Sequence, residues 1–185
     1  MEKTIKQFNA VIDNCREIFV KKTKDYGTAW RILRTSSLTD QIFIKANRIR
    51  SIEEKGFQKV EEDIKDEFIA IVNYSVMGLI QLELGAASGN EDMQLDVDET
   101  IALYEKYIFG ARDLMLNKNH DYGEAWRDMR VSSLTDIILM KILRLKQIED
   151  NEGETIISEG PEGSYNDMIN YSIFALIKMG EEESK

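Results

Sequence analysis

The residues with the most chemical promise in this sequence come in matched sets. Lys45 and Arg48 lie three apart on a helical pattern and so share one face, as do Lys141 and Arg144. Such a face can meet phosphate oxygens, with Arg as a planar fork and Lys as a point charge. From Lys21 to Arg50, eight bases (Lys21, Lys22, Lys24, Arg31, Arg34, Lys45, Arg48, Arg50) stand against Asp25 and Asp40. From Ser51 to Glu67, seven acids stand against Lys55, Lys59 and Lys65. A basic stretch beside an acidic helix suits a metal-bound phosphate ester, in which carboxylates hold a hard cation while Arg and Lys face the phosphate. The plainer reading is a set of solvated helix faces. Recurrence of Arg31, Arg34, Lys45 and Arg48 as Arg127, Arg130, Lys141 and Arg144, between residues that differ, is what speaks for a ligand.

The acids form a pattern of their own. Aligned on Asn73-Tyr-Ser and Asn170-Tyr-Ser, Glu62 pairs with Glu159, Asp66 with Gly163 and Ala70 with Asp167. Positions i, i+4, i+8 and i+11 make one helical stripe, so an ancestral unit with Glu, Asp, Asp and Asn in line accounts for both copies, each having lost a different aspartate. Glu62, Asp66 and Asp167 are therefore the candidate metal ligands, pooled at a composite site, with Asn73 and Asn170 beside them. Pro161 places Glu159 ahead of its helix and off the stripe. The alternative is that the asparagines satisfy buried helix contacts and the acids are solvated. Trp30 and Trp126 could stack on a planar ring, although core packing is their commoner role, and Tyr26 and Tyr122 could add an aromatic wall or a hydroxyl. Asp25 and Asp121 sit in the same Asp-Tyr-Gly turns. Asp40 and Asp136 read as helix caps, His120 as an exposed loop residue, and no residue is singled out as catalytic.

These sets recur because the chain is duplicated. Residues Asp25 to Asp40 return as Asp121 to Asp136 with twelve of sixteen positions identical, at an offset of 96 that becomes 97 at Asn170. Each unit reads as three long helices. The first runs from about Thr4 to Lys24, with Ile5, Phe8, Val11, Ile12, Cys15, Ile18 and Phe19 at helical spacing. Gly27 and Gly123 stand where a left-handed helix-ending residue belongs, and Ala-Trp-Arg then makes a short turn. The second helix starts at Ser37 and runs to about Glu54. The third spans about Val60 to Leu84, is apolar on more than one face, and is expected at the centre of a bundle. Repeat one is 1–84, a Gly-, Ser- and acid-rich linker is 85–97, and repeat two is 98–185. The fold class is all-α: a bundle of about six long helices with a pseudo-two-fold axis, sharing one core because units this small bury too little surface alone.

The 185 residues carry 34 acids against 24 bases, a formal charge of −10, which argues against a duplex nucleic-acid partner. Cys15 is the single cysteine, so neither an intrachain disulfide nor a cysteine zinc site can form. No apolar run approaches a membrane span and no leader pattern opens the chain, so the expectation is a cytoplasmic protein with no membrane partner.

Lys-Asp-Tyr-Gly-x-x-Trp, then Lys-x-x-Arg, then acids leading into Asp167-Met-Ile-Asn170-Tyr171, resembles the nucleotide modification associated domain 1 family, itself similar to MazG-like all-α NTP pyrophosphohydrolases. The likeness spans both repeats. It implies a helical fold that handles nucleotides or nucleoside triphosphates, with Mg²⁺ as cofactor on helix-borne carboxylates and water attacking a phosphoanhydride in the enzymatic relatives. Asp25, Tyr26, Trp30, Arg31, Arg34, Lys45, Arg48 and Asn73, with Asp121, Tyr122, Trp126, Arg127, Arg130, Lys141, Arg144 and Asn170, become the expected substrate-binding set. The Glu-Glu-x-x-Glu and Glu-x-x-Asp signatures of the MazG-like enzymes are not intact: Gly56 and Phe57 follow Glu53-Glu54, and Ser164 precedes Asp167 by three. A non-catalytic nucleotide-binding or protein-interaction module is therefore the alternative. A homodimer is the assembly the resemblance leaves open.

Overall fold

The computed structural model describes residues 1–57, 59 and 63–184, and among them there is no strand. Helix α1 spans Glu2–Tyr26, α2 Thr35–Lys55 and α3 Ile64–Leu84. A single turn, α4 (Asn90–Met93), interrupts the expected linker. Helices α5 (Val97–Tyr122), α6 (Val131–Asp150) and α7 (Pro161–Glu183) then repeat the first three. Short 3₁₀ turns at Ala29–Ile32 and Ala125–Asp128 follow α1 and α5, as the Ala-Trp-Arg triplets predict.

Apolar periodicity explains the layers. Helix α1 buries Phe8, Ile12, Cys15 and Phe19, a single stripe, and keeps its other faces wet. Helices α3 and α7 bury residues on nearly all sides, including Phe68, Ile71, Val72 and Val76 in the first and Tyr165, Met168, Ile169 and Ile173 in the second. They form the central pair. Each fully buried aliphatic or aromatic side chain there contributes about 1.5–3 kcal/mol. The 21 residues of α3 are long and apolar enough to cross a membrane by composition, contrary to the expectation from run lengths, yet 67% of that window is buried against other helices.

The central helices run antiparallel. Gly78 lies against the Tyr165 ring so closely that a Cβ would stand 2.6 Å from it, while Lys65 at the start of α3 pairs with Glu183 at the end of α7. Helices α2 and α6 cover one side of the pair, and α1 and α5 pack against both central helices on the other. Reciprocal contacts reveal the two-fold relation: Thr39 Oγ1 donates to Glu149 at 2.6 Å and Thr135 Oγ1 to Glu53 at 2.9 Å; Lys146 meets Asp40 at 2.9 Å and Arg50 meets Asp136 at 3.4 Å. Between α1 and α5, Arg16 reaches Glu105 at 2.7 Å and Arg112 reaches Asn9 at 3.2 Å. Every pair maps onto its mate by the offset of 96.

Some local expectations need correcting. Helix α2 begins at Thr35, with Arg34 at the N-cap position and no side-chain cap, and α6 begins the same way after Arg130. Asp40 and Asp136 therefore lie past the first turn and make the surface ion pairs above instead of capping. Helix α7 starts at Pro161, whose missing N–H costs nothing at a first turn, and Glu159 precedes it as expected.

Candidate functional site

Each repeat builds a pocket where the end of its first helix meets its third. The Asp-Tyr-Gly turn sets the geometry: Gly27 and Gly123 adopt φ of 68° and 59°, and their N–H groups close the preceding helices on Thr23 and Asn119. The chain turns there and carries Trp30 towards Phe19 on α1 and Trp126 onto Phe174 of α7.

In repeat one, the resulting cavity of about 240 Å³ is lined by Lys22, Thr23, Tyr26, Trp30, Lys45, Asp66, Asn73, Tyr74 and apolar neighbours. In repeat two, a cavity of about 270 Å³ is lined by Lys118, Asn119, Tyr122, Trp126, Asp167, Asn170 and Tyr171, with Met115 and Phe174 behind them. Asp167 also borders a wider groove of about 740 Å³ containing Lys141, Arg144 and the loop before α7. Lys22, Tyr26, Trp30, Asn73 and Tyr74 thus recur as Lys118, Tyr122, Trp126, Asn170 and Tyr171, while Lys141, the mate of Lys45, lines the adjoining groove. Tyr26 and Tyr122 present exposed rings at the two mouths.

Charge is arranged differently in the two copies. In repeat one the buried Glu67 accepts from Arg48 Nη1 at 2.8 Å and faces Lys45 Nζ at 3.5 Å. Asp66 is exposed and has no ion pair among the described residues. In repeat two Ser164 replaces Glu67, and the cations engage Asp167 one turn further on: Lys141 Nζ at 2.6 Å and Lys118 Nζ at 3.1 Å. Burial lowers the Lys118 pKa, but bonding and attraction to Asp167 outweigh it, so the net shift is upward and the ammonium is held charged. Burial, then the Asp167 charge, pushes the Tyr171 hydroxyl up as well. Arg144 stays exposed over the groove, with no ion-pair partner among the described residues.

The asparagines anchor the third helices. Asn73 Nδ2 donates to the Cys15 carbonyl at 3.2 Å and Asn170 Nδ2 to the Ala111 carbonyl at 3.0 Å, equivalent positions on α1 and α5. Asn73 Oδ1 accepts from Tyr104 Oη at 2.7 Å, a hydroxyl supplied by the other repeat.

The composite cation site does not form from the described residues. Antiparallel packing sets Asp167 opposite the residues near Val76, some ten residues along α3 from Asp66, or about 15 Å at 1.5 Å per residue. One cation cannot bridge that distance, because Mg²⁺ needs oxygens at about 2.1 Å. Glu62 lies outside the described residues. No group of three or more His, Cys, Asp or Glu side chains converges among those described. Asp167 already carries two lysines, so the donor set seen here does not fit a side-chain Mg²⁺ cage.

Several other expected residues also serve the fold. Arg31 is buried and bonds to Gln81 and, at 2.6 Å, to the Gly85 carbonyl, tying down the end of α3. Arg127 reaches Thr4 at 2.7 Å and Gln7 at 2.8 Å, bracing α1. Its guanidinium lies 4.4 Å from the Trp126 centroid and Phe174 stacks on the same indole at 4.3 Å, so Trp126 has no free face for a ring. Arg34, Arg130, Asp25 and Asp121 are exposed and border none of these cavities. Lys22, Lys118, Tyr74 and Tyr171 were not among the expected residues, although the repeat offset maps each lysine and each tyrosine onto its mate.

The model of nucleotide modification associated domain 1 matches residues 22–82 and again 118–179, most of both repeats. The chain belongs to that family. The two matches contain most of the pocket residues, from Lys22 to Met77 and from Lys118 to Phe174, and leave out Ile18, Phe19 and Met115 just before them; the tandem duplication is thus a duplication of the family domain itself. No curated protein and no solved structure matches the chain.

Proposed function

We propose that this protein binds nucleoside phosphates, one pocket to each repeat, and that binding, not a side-chain metal centre, is what the repeats keep. The observation carrying this is the recurrence of one pocket lining in two copies that have otherwise diverged. Lys22 and Lys45, and in the second copy Lys118, Lys141 and Arg144, supply positive charge for phosphates. Tyr26, Trp30 and Tyr74 supply an apolar wall for a base in the first pocket, where among the described residues no ring stacks in parallel on Trp30 and Phe19 sits tilted at 6.4 Å.

Phosphoanhydride hydrolysis is the second reading, and the unpaired Asp66 in the first pocket favours it. A divalent cation would reach that pocket with the nucleotide's own phosphates, and Asp66 is the described carboxylate free to meet it. Any such activity belongs to repeat one, since Asp167 is neutralised. The test is a thermal-shift and calorimetric titration with ordinary and modified dNTPs, with and without Mg²⁺, alongside a pyrophosphate-release assay. At a hundredfold excess over Kd, binding should stabilise the fold by about 2.7 kcal/mol and raise Tm by about 5–10 °C. Absence of both stabilisation and heat across the panel refutes the binding reading. Release that survives Asp66→Asn refutes the assignment to Asp66.

A further inference from the structure

Beyond their charges, the two pockets differ in one buried hydrogen bond, and that difference points to a recognition site. Trp126 and Asn170 are 5% and 6% exposed, both line the second pocket, and Trp126 Nε1 and Asn170 Oδ1 have no hydrogen-bond partner among the described residues. Trp30 Nε1 is likewise buried without a partner at the equivalent place in repeat one. Buried donors and acceptors are nearly always satisfied, so the same unmatched indole N–H in two copies marks where an acceptor from outside the chain fits. The asparagines differ for an identifiable reason. Tyr104 Oη fills Asn73 Oδ1 at 2.7 Å, whereas the residue equivalent to Tyr104 at the offset of 96 is Phe8, which has no hydroxyl to offer. Phe8 sits fully buried on the second-pocket side, its ring 6.1 Å from Phe174. Asn170 therefore keeps a free acceptor that Asn73 has lost.

We propose that the second pocket reads the polar edge of a nucleobase, Trp126 Nε1 donating to a ring acceptor and Asn170 Oδ1 accepting from a ring or amino N–H. This rests on the nucleotide reading and goes beyond it by assigning base recognition to repeat two. The base enters edge-on, because Phe174 and Arg127 occupy the faces of Trp126. The first pocket, with one unmatched donor and no free asparagine acceptor, discriminates bases less.

The chain has two tryptophans, so the Trp30→Phe protein reports on the second pocket alone through Trp126 fluorescence. The probes are the four ordinary dNTPs, titrated into that protein with and without Phe8→Tyr, which supplies Asn170 with the hydroxyl Tyr104 gives Asn73. Losing one uncharged hydrogen bond should weaken binding roughly five- to tenfold and narrow the differences among the four bases. If Phe8→Tyr fails to fold by thermal melt, Trp126→Phe in the otherwise unaltered chain removes the donor, and calorimetry should show one of two binding events weakened by a similar factor. Unchanged affinity and base preference in the variant read overturns base recognition by these two atoms while leaving nucleotide binding intact. Failure of every dNTP to bind the unaltered chain overturns both.

Discussion

Glu67 offers the sharpest test of how the first repeat handles charge. Its carboxylate is 2% exposed and is held by Arg48 and Lys45, whose side chains are 23% and 28% exposed. Glu67→Gln preserves shape and deletes the charge. Breaking a fully buried pair costs about 3–5 kcal/mol, but these cations reach water once released, so about 2–3 kcal/mol is the expected loss. For a chain of this size that lowers Tm by about 5–10 °C. Calorimetry supplies Tm, and a double-mutant cycle with Lys45→Met isolates the pair, with an expected coupling above about 1 kcal/mol. The same substitution frees Lys45 at the edge of the first pocket, so dNTP affinity should rise while stability falls. A Tm within about 2 °C of the parent, with coupling below about 0.5 kcal/mol, would show that Glu67 is not the partner that holds these cations.

Three further outcomes follow from the packing and the titrating groups. Gly78→Ala drives a methyl into the Tyr165 ring at the crossing of α3 and α7, and the overpacking of about 1–3 kcal/mol should outweigh the gain in helix propensity, as read by urea denaturation. Burial, opposed only by a backbone hydrogen bond, pushes the Cys15 thiol up to about 12, so an aromatic disulfide reagent at pH 8 should label the protein in denaturant and leave the native chain unlabelled. Hydrogen bonds from Lys3 and Gln7, outweighing some burial, lower Glu181 to about 2. A depressed carboxylate stabilises above its unfolded pKa of about 4.5 and loses that contribution as pH falls towards 2, so Glu181→Gln should flatten the acid limb of the stability profile over that window.

The duplication, the all-α class and the central placement of α3 were legible because hydrophobic period and self-similarity are properties of the chain itself. The paired tryptophans and asparagines were legible as a set for the same reason. What the sequence could not show was direction. A stripe of Glu, Asp, Asp and Asn says which residues share a face, but only the antiparallel crossing of α3 and α7 reveals that Asp66 and Asp167 sit at different ends of the pair. Nor could spacing assign partners to the arginines. Arg31 and Arg127 recur at equivalent positions, yet one ties down the end of α3 and the other braces α1, because identical residues met neighbours that had drifted. Lys118 escaped notice because its lysine mate, Lys22, lay in a run of bases that looked like an ordinary wet helix end.

Tyr104 belongs to one half of the chain and completes a bond in the pocket of the other, while Phe8 stands at the mirrored place and completes none. Neither half therefore sets the hydrogen bonding of its pocket alone. A hybrid made by exchanging a single half with a homologue would import new pocket walls into one site and, through its opening helix, silently rewrite the hydrogen-bonding code of the site it left behind. A substitution in the opening helix of either half is therefore read in the pocket of the other, which is how two copies alike in their unmatched indoles come to differ at the asparagine.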